Sequence, residues 1–330
     1  MNRRATAEDV AAEAGVSRWT VNRAYVPGSN ISERSRQRVM AVAERLGYRP
    51  NLLARSLNTK VTGQVAVLVD DFANPYKLPA LEKLTAALQA EDMVAMLIHI
   101  GQHYDHARAF LHADQRQVDA IVLLGTGFQD DSLQQALRAD GPSVYVLARE
   151  STHPDIPSVA CDPKVSMAEI VEHLAARGYR RPGYMSGARA LSSVLGRQKF
   201  HAKYWRKHGV RNIPELAAGA YDYRAAEEVL HRYLSETPAE QRIDVLMCEN
   251  DVLAIGAYDV AQRGFGLSIP NDMAIVGYDG MDIASMPMFD ITSYEQPMDQ
   301  MIASLIDMLK GRAPMRSVLL PGRLAVRKST

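Results

Sequence analysis

From residue 64 onward, short apolar runs alternate with stretches whose apolar residues recur at helical spacing, and this alternation sets the fold class of most of the chain. Strands are expected at Val65–Val69, Val94–His99, Ala120–Leu124, Val144–Leu147, Gly183–Ser186, Val245–Cys248 and Met273–Gly277. Helices are expected over 79–90, 106–116, 132–139, 165–177, 197–208, 224–235, 251–263 and 298–309. Strands with helical crossovers build parallel sheets covered on both faces, and such sheets bind ligands at the carboxyl ends of their strands. The 330 residues exceed what one hydrophobic core serves, so two or three domains are expected.

The formal net charge of zero conceals a division. Residues 1–60 hold eleven Lys and Arg against five acids, a net +6, which leaves −6 on the other 270 residues. A small basic module joined to an acidic body points to a polyanionic partner for the first part. The two cysteines, Cys161 and Cys248, lie far apart in apolar runs. They offer no zinc or redox motif and are expected as buried small hydrophobes. No run approaches the roughly 20 apolar residues of a membrane helix. The opening MNRRATAEDV has no apolar segment of a secretory signal, so a soluble cytoplasmic protein is expected.

Signs of catalysis are weak. Gly125-Thr126-Gly127 and Gly264-Phe265-Gly266 each lack the third glycine of a dinucleotide loop, and Ser186 does not sit in a nucleophile elbow. His99, His103, His106 and His112 cluster loosely without metal-ligand spacing. Neither a cofactor, a metal nor an enzymatic activity is expected.

The basic module is helical in pattern. Thr6 stands as an N-cap with Asp9 at the acid position of a capping box, and Gly15 closes the helix. After Val16, expected to be buried in the turn, Ser17 caps a short helix from Arg18 to Ala24. Ser32 caps a third helix through Leu46, with Val39, Ala43 and Leu46 as its apolar stripe and Gly47 at its end. Helix, tight glycine-containing turn and helix is the arrangement that lays a second helix in the DNA major groove.

The runs D-V-A-A-E-A-G-V-S-x-x-T-V-x-R (from Asp9), I-S-x-x-S-R (from Ile31) and L-G-Y-x-P-N-x-x-A-R-S-L (from Leu46) extend over about sixty residues. In this order they resemble the head of lactose/galactose-repressor-type (LacI/GalR) transcription regulators. The resemblance implies that Arg18 and Trp19 face bases, and Arg suits the O6 and N7 of guanine. Trp19 is bulkier than usual there: it either packs on a thymine methyl or folds back onto the bundle. Ser17, Thr20, Asn22 and Arg23 match positions that touch phosphate or bases, and Thr6 joins them as a candidate. Asn51, Ala54, Arg55 and Leu57 match the hinge segment, with Leu57 as the minor-groove wedge; the alternative is a plain flexible linker.

The body resembles the two-lobed effector core of the same family, which is similar to periplasmic sugar-binding proteins. The matching residues are Asn74-Pro75-Tyr76, Glu169 to Tyr179, Cys248-Glu249-Asn250-Asp251, Ile269-Pro270-Asn271-Asp272, Val276-Gly277-Tyr278-Asp279, Ile291-Thr292 and Gln296-Pro297. The implied domains are 1–50 (helix-turn-helix), 51–61 (hinge), 62–160 with 291–320 (first lobe), and 161–290 with 321–330 (second lobe). The implied crossovers lie near 160–163, 289–293 and 320–322.

The resemblance also implies an effector site of Tyr76, Arg197, His201, Asn250 and Asp279. For Asn250, Asp251 and Asp279 helix or turn capping is the competing role; Asp251 is assigned to the cap, while Asn250 and Asp279 are kept as ligand candidates. Arg197 and Asp279 also suit an ion pair across an empty cleft. The chain departs from the family at Phe200-His201, at Leu147-Ala148-Arg149, where an acid is missing, and at Gly280. These departures put a standard hexose or purine ligand in doubt. The expected protein is a homodimeric repressor on pseudopalindromic double-stranded operator DNA, controlled by a small polar effector, with a sugar or sugar derivative first and an organic acid second. The competing reading is a two-lobed binding or enzymatic domain with an incidental basic head.

Overall fold

The computed structural model describes residues 5–26, 28–50, 61–72, 74–101, 106–125, 141–189, 193–194 and 196–330. The hinge residues Asn51, Ala54, Arg55 and Leu57, the helix expected over 132–139, and His103 lie outside the described residues. The chain divides into two compact units, Met1–Thr62 and Gly63–Thr330.

Among the described residues three helices build the first unit: α1 (Ala7–Ala14), α2 (Arg18–Ala24) and α3 (Glu33–Leu46). Each begins on a hydroxyl that occupies an otherwise unsatisfied amide. Thr6 accepts from the Asp9 amide at 3.3 Å while Asp9 accepts from the Thr6 amide at 2.8 Å, completing the capping box. Ser17 and Ser32 accept from Thr20 and Ser35, each at 3.2 Å. Val10, Ala14, Val21, Ala24, Val39, Val42 and Ala43 make a small core. Val16 and Leu46 are half-buried against its edge rather than inside it, because a core this small encloses few side chains. Arg36 fastens the loop after α2: its Nη1 donates to the Ala24 carbonyl at 2.5 Å and its Nη2 to Ser29 Oγ at 3.0 Å. Ser29 Oγ donates in turn to the Arg23 carbonyl at 2.6 Å.

In the second unit the strands follow in chain order as β1 (Gln64–Val69), β2 (Val94–His99), β3 (Ala120–Leu124), β4 (Ser143–Leu147), β5 (Glu150–Ser151), β6 (Ser158–Cys161) and β7 (Pro182–Ser186). After them come β8 (Ser193–Val194), β9 (Glu215–Ala217), β10 (Val245–Cys248), β11 (Ala274–Asp279), β12 (Thr292–Glu295), β13 (Val318–Leu320) and β14 (Arg323–Ala325). Among the described residues the helices between them are α4 (Lys77–Ala90), α5 (His106–Gln115), α6 (Pro163–Ala176), α7 (Arg197–Lys207), α8 (Tyr223–Glu236), α9 (Asp251–Asp259), α10 (Asp282–Ser285) and α11 (Met298–Leu309).

Two six-stranded sheets result, ordered β13-β6-β4-β3-β1-β2 and β14-β12-β11-β10-β7-β9. The pairings are parallel except β12 with β14, and β5 and β8 form a separate antiparallel pair. The central strands are buried on both faces, which is why they are apolar without alternation. In β1, Val65, Val67 and Val69 point into one core and Ala66 and Leu68 into the other. In the second sheet Val245 and Met247 are divided in the same way from Leu246 and Cys248. Cys161 and Cys248 are free and buried.

Every strand expected from the sequence is present, with ends moved by up to two residues. Those missed (β5, β6, β8, β9, β12, β13 and β14) are two to four residues long; several are polar, and the apolar runs of β6 and β13 are only three residues long. One boundary needs correction. The return to the first lobe was expected near 289–293, with the first lobe resuming at 291. Yet β12 pairs parallel with β11 in the second sheet, register Val276 with Thr292 through Asp279 with Glu295. The chain passes back only at Gln296-Pro297, after which α11 packs against α4 and β6. The cause is side-chain packing: Tyr294 stacks on Tyr278 at 5.4 Å, and Thr292 Oγ1 bonds Thr330 Oγ1 at 2.8 Å, holding β12 in the second lobe.

Candidate functional site

On the head, Ser17, Arg18, Trp19 and Asn22 are exposed, and Thr6, Thr20 and Arg23 are half-buried. Trp19 is 58% exposed and takes no part in the head's core, so it does not fold back onto the bundle. The Arg23 guanidinium lies over its ring at 4.4 Å. Arg18 Nη1 meets Glu8 Oε1 at 2.9 Å, with both side chains mostly in solvent. Such a pair contributes about 0–1 kcal/mol and gives way readily to a stronger acceptor.

In the body, the strand ends converge on a narrow cleft that is partly open to solvent. From the first lobe Asn74, Tyr76, Lys77, Gly125, Ala148 and Arg149 line it. Arg197, Tyr221, Asn250 and Asp279 do so from the second, and Gln296 sits at the crossover.

Local chemistry places these groups. Asn74 Oδ1 accepts from the Tyr76 amide at 3.2 Å, a side-chain turn that holds Tyr76 at the start of α4. The next residue, Lys77, is buried and ion-paired with Asp70. Gly125 allows that pair its space, since a Cβ there would stand 1.9 Å from Asp70 Oδ1. Arg197 opens α7: its Nη1 donates to the Glu249 carbonyl at 2.6 Å, and its guanidinium covers the Tyr278 ring at 3.6 Å. Its Nη2 stands 3.8 Å from Asp279 Oδ1. Gln296 Nε2 donates to the same oxygen at 2.7 Å. Asp279 holds φ 110 at the end of β11, a backbone conformation that non-glycine residues seldom adopt.

Glu249 is buried just behind the lining. It accepts from Tyr184 Oη at 3.0 Å, from Tyr221 Oη at 3.0 Å and from the Gly187 amide at 2.9 Å. Among the buried polar atoms of the described lining without a hydrogen-bond partner are Tyr76 Oη, Asn250 Nδ2 and Gln296 Oε1.

Of the five effector residues expected from the sequence, the cleft gathers Tyr76, Arg197, Asn250 and Asp279, and leaves out His201. His201 is buried on the core side of α7, where its Nε2 accepts from Trp205 Nε1 at 3.0 Å and its ring faces Tyr184. Burial pushes its pKa down to about 3, so it stays neutral. The capping roles at 250 and 251 are also exchanged. Asn250 caps α9, accepting from the Leu253 amide at 3.0 Å, and still turns Nδ2 to the cleft. Asp251 is a buried strut that accepts from the Met281 amide and from Ser293 Oγ, each at 2.6 Å. The lining residues Lys77, Arg149, Tyr221 and Gln296 were not assigned from the sequence. Gln296 and Arg149 stood inside matched or noted segments, whereas nothing marked Tyr221. Among the described residues no group of three or more His, Cys, Asp or Glu is placed to hold a metal ion.

Burial pushes Asp279 up to about 7 against the opposing pull of Arg197 and Gln296. Burial and then the Asp279 charge push Asp251 to about 7 as well. Unfolded carboxyls titrate near pH 3.9, so between roughly pH 4 and 7 the folded body holds protons that the unfolded chain has released. The stability these groups contribute is full below pH 4 and is lost as the pH rises through 7. His201 acts in the opposite sense, but only below its unfolded value of about 6.5. Above that pH the carboxyls act without it. Urea midpoints of the body should therefore fall from pH 6.5 to 8, and Asp279→Asn should flatten the fall; an unchanged slope would show that Asp279 is not titrating.

Comparison with known proteins identifies the architecture. Residues 62–310 match the periplasmic binding proteins and sugar binding domain of the LacI family. Residues 6–51 match the bacterial regulatory proteins of the lacI family. The chain belongs to the LacI family. Among its LacI-family relatives, catabolite control protein A of Priestia megaterium is 28% identical over 98% of this chain and 99% of its own. The sucrose operon repressor of Shigella flexneri is 28% identical over 99% of this chain and all of its own. The fold is that of the Lac repressor dimer bound to operator and the anti-inducer ONPF, with TM-score 0.84 at 22% identity over 99% of both chains. The structure of the regulator CelR with cellobiose gives TM-score 0.70 at 25% identity over 99% of this chain and all of that one.

Proposed function

We propose that this LacI-family regulator is a repressor that grips a pseudopalindromic operator as a homodimer and changes its DNA affinity when a small polar effector fills the cleft. Three unsatisfied buried atoms in one cleft carry the effector part of this reading: Tyr76 Oη, Asn250 Nδ2 and Gln296 Oε1. A buried polar group without a partner costs about 1–3 kcal/mol, and a ligand that pairs all three relieves that cost. Sugars fit such a mixture of donors and acceptors. Relatives include repressors of sucrose and ribose operons, and CelR holds cellobiose. The protein catalyses no reaction and acts in the cytoplasm. No helix among the described residues is long and apolar enough to cross a membrane.

Arg18 and Trp19 meet base edges, while Thr6, Ser17, Thr20, Asn22 and Arg23 hold the head to phosphate or bases. Asn51, Ala54, Arg55 and Leu57 belong to a hinge that enters the minor groove. Selection from a random duplex library should return a two-fold sequence whose affinity falls steeply with salt; equal binding to all duplexes would defeat the proposal. On the selected duplex, Arg18→Ala should lose about 1–3 kcal/mol and relax preference at one position in each half-site. A uniform loss on every sequence would place Arg18 on phosphate instead.

Dimerisation is supported by exposed apolar side chains on both lobes: Leu78, Val94 and Leu97 on the first, and Ile283, Met286 and Met288 on the second. Apolar side chains left in solvent, where they cluster, mark surfaces that a partner covers. Sedimentation at micromolar concentration should give a dimer, and a monomer in the presence of the selected duplex would refute it.

A further inference from the structure

In the run Cys248-Glu249-Asn250-Asp251, Asn250 caps α9 and Asp251 braces the Met281 amide, while Glu249 is buried behind the cleft wall. Its backbone is fixed by the second sheet, because its amide donates to the Met185 carbonyl of β7 at 2.9 Å. From that anchor the residue gathers donors from three segments of the chain. Oε1 accepts from Tyr184 Oη, within β7, at 3.0 Å. Oε2 accepts from the Gly187 amide, just after β7, at 2.9 Å, and from Tyr221 Oη, two residues before α8, at 3.0 Å. The Glu249 carbonyl accepts from Arg197 Nη1, at the start of α7, at 2.6 Å.

Two of these donors, Tyr221 and Arg197, line the cleft. A tyrosine ring turns about two side-chain torsions, and here it is held at two places. Its hydroxyl is tied to Oε2, and its ring lies against Gly187, where a Cβ would stand 2.2 Å from Cε1. Hydrogen bonds to a carboxylate are shorter and stronger than those to a neutral acceptor. The Glu249 charge also acts on Arg197, in favour of its cationic form.

Resting on the effector reading above, we infer that Glu249 is the positioning residue of the effector site: its side chain holds the Tyr221 ring and its carbonyl holds Arg197, so that both face the cleft at one fixed separation. A cyclic sugar uses the two together, since its apolar ring face suits the phenol and its hydroxyls suit the guanidinium. Glu249 itself touches no effector and acts through the two residues it holds.

Tyr184 supplies the control for a purely structural role. It donates to the same carboxylate over the same 3.0 Å as Tyr221, but its ring belongs to the core beside His201 and not to the cleft lining. Tyr184→Phe and Tyr221→Phe therefore each remove one equivalent bond, and only the second frees a lining ring.

The test is calorimetric titration of the full chain with D-ribose, D-glucose, sucrose, lactose and cellobiose, followed by titration of each variant with the sugar that the wild type binds most tightly. Tyr221→Phe should weaken that sugar fivefold or more, and Tyr184→Phe should leave its affinity within twofold, although both lower the urea midpoint. Glu249→Ala should weaken it tenfold or more, and adding Tyr221→Phe should cost little further, because both changes remove one tether. Glu249→Gln should recover most of the loss: its Oε1 still accepts from Gly187 and Tyr221, and its Nε2 donates to Tyr184 Oη. Equal affinity in the wild type, Tyr221→Phe and Glu249→Ala overturns the positioning role and leaves the effector reading standing. An equal loss in Tyr184→Phe and Tyr221→Phe also overturns it, since Glu249 then serves stability alone; these two variants decide the matter if Glu249→Ala does not fold. Failure of all five sugars to bind at millimolar concentration overturns instead the sugar reading on which the inference rests.

Discussion

Arg197→Ala should abolish the response of DNA binding to effector and destabilise the body by about 3–5 kcal/mol, the cost of breaking a buried charge pair. The substitution leaves Asp279 without its cation and the Glu249 carbonyl without the Nη1 donor at 2.6 Å. It also uncovers the Tyr278 ring, over which the guanidinium lies at 3.6 Å. Asp279 already titrates near 7, so in the variant it is able to take up a proton and blunt the loss. The destabilisation should accordingly be larger at pH 8 than at pH 6 in urea melts. Effector-free binding to the selected duplex should stay near the wild-type value, because the head is a separate compact unit. A variant that melts like the wild type and still responds to effector would show that Arg197 does not belong to the response.

Arg36→Ala should have an effect of similar size on the other unit. Removing the guanidinium leaves the Ala24 carbonyl and Ser29 Oγ without their donor, at bonds of 2.5 and 3.0 Å, where α2 ends and its loop begins. Losing hydrogen bonds to a charged group of this kind costs about 1.5–3 kcal/mol each. The head's core holds few large side chains, and a module this small has little stability in reserve. Specific DNA binding should therefore be lost, along with hydrogen-exchange protection of α2 amides, while the melt of the body stays where it was. Retained protection in α2 would mean that the loop is held by its other bonds.

How much of this was legible depends on the range of the interactions. The head's caps are local: Thr6 with Asp9, Ser17 with Thr20 and Ser32 with Ser35 lie three residues apart, and spacing reveals them. The strands buried on both faces were legible because burial leaves an unbroken apolar run. At 250 and 251, the sequence shows that Asn-Asp opens a helix. What it does not show is that Asp251 has its partners at Met281 and Ser293, 30 and 42 residues onward. His201 lies one turn beyond Arg197 and so shares its side of α7. The axis nevertheless carries it away from the cleft to Trp205 and Tyr184. Tyr221 carries no motif; it reaches the lining because Glu249 and the bare Gly187 draw it in, a Cβ at Gly187 falling 2.2 Å from its ring.

The three passages of the chain between the sheets bear on how the protein is made. The first sheet receives β13 alongside β6, at Val318 with Val159 through Leu320 with Cys161, and α11 closes over that region. The second sheet completes its edge only with β14, paired antiparallel to β12. A ribosome must therefore release nearly the whole chain before either lobe has all its strands, although the head is able to fold from the first sixty residues. Through most of synthesis the half-built sheets present unpaired edges while a finished, basic DNA-seeking module already hangs from the nascent chain. Their exposure to chaperones and aggregation lasts until the final stretch of translation.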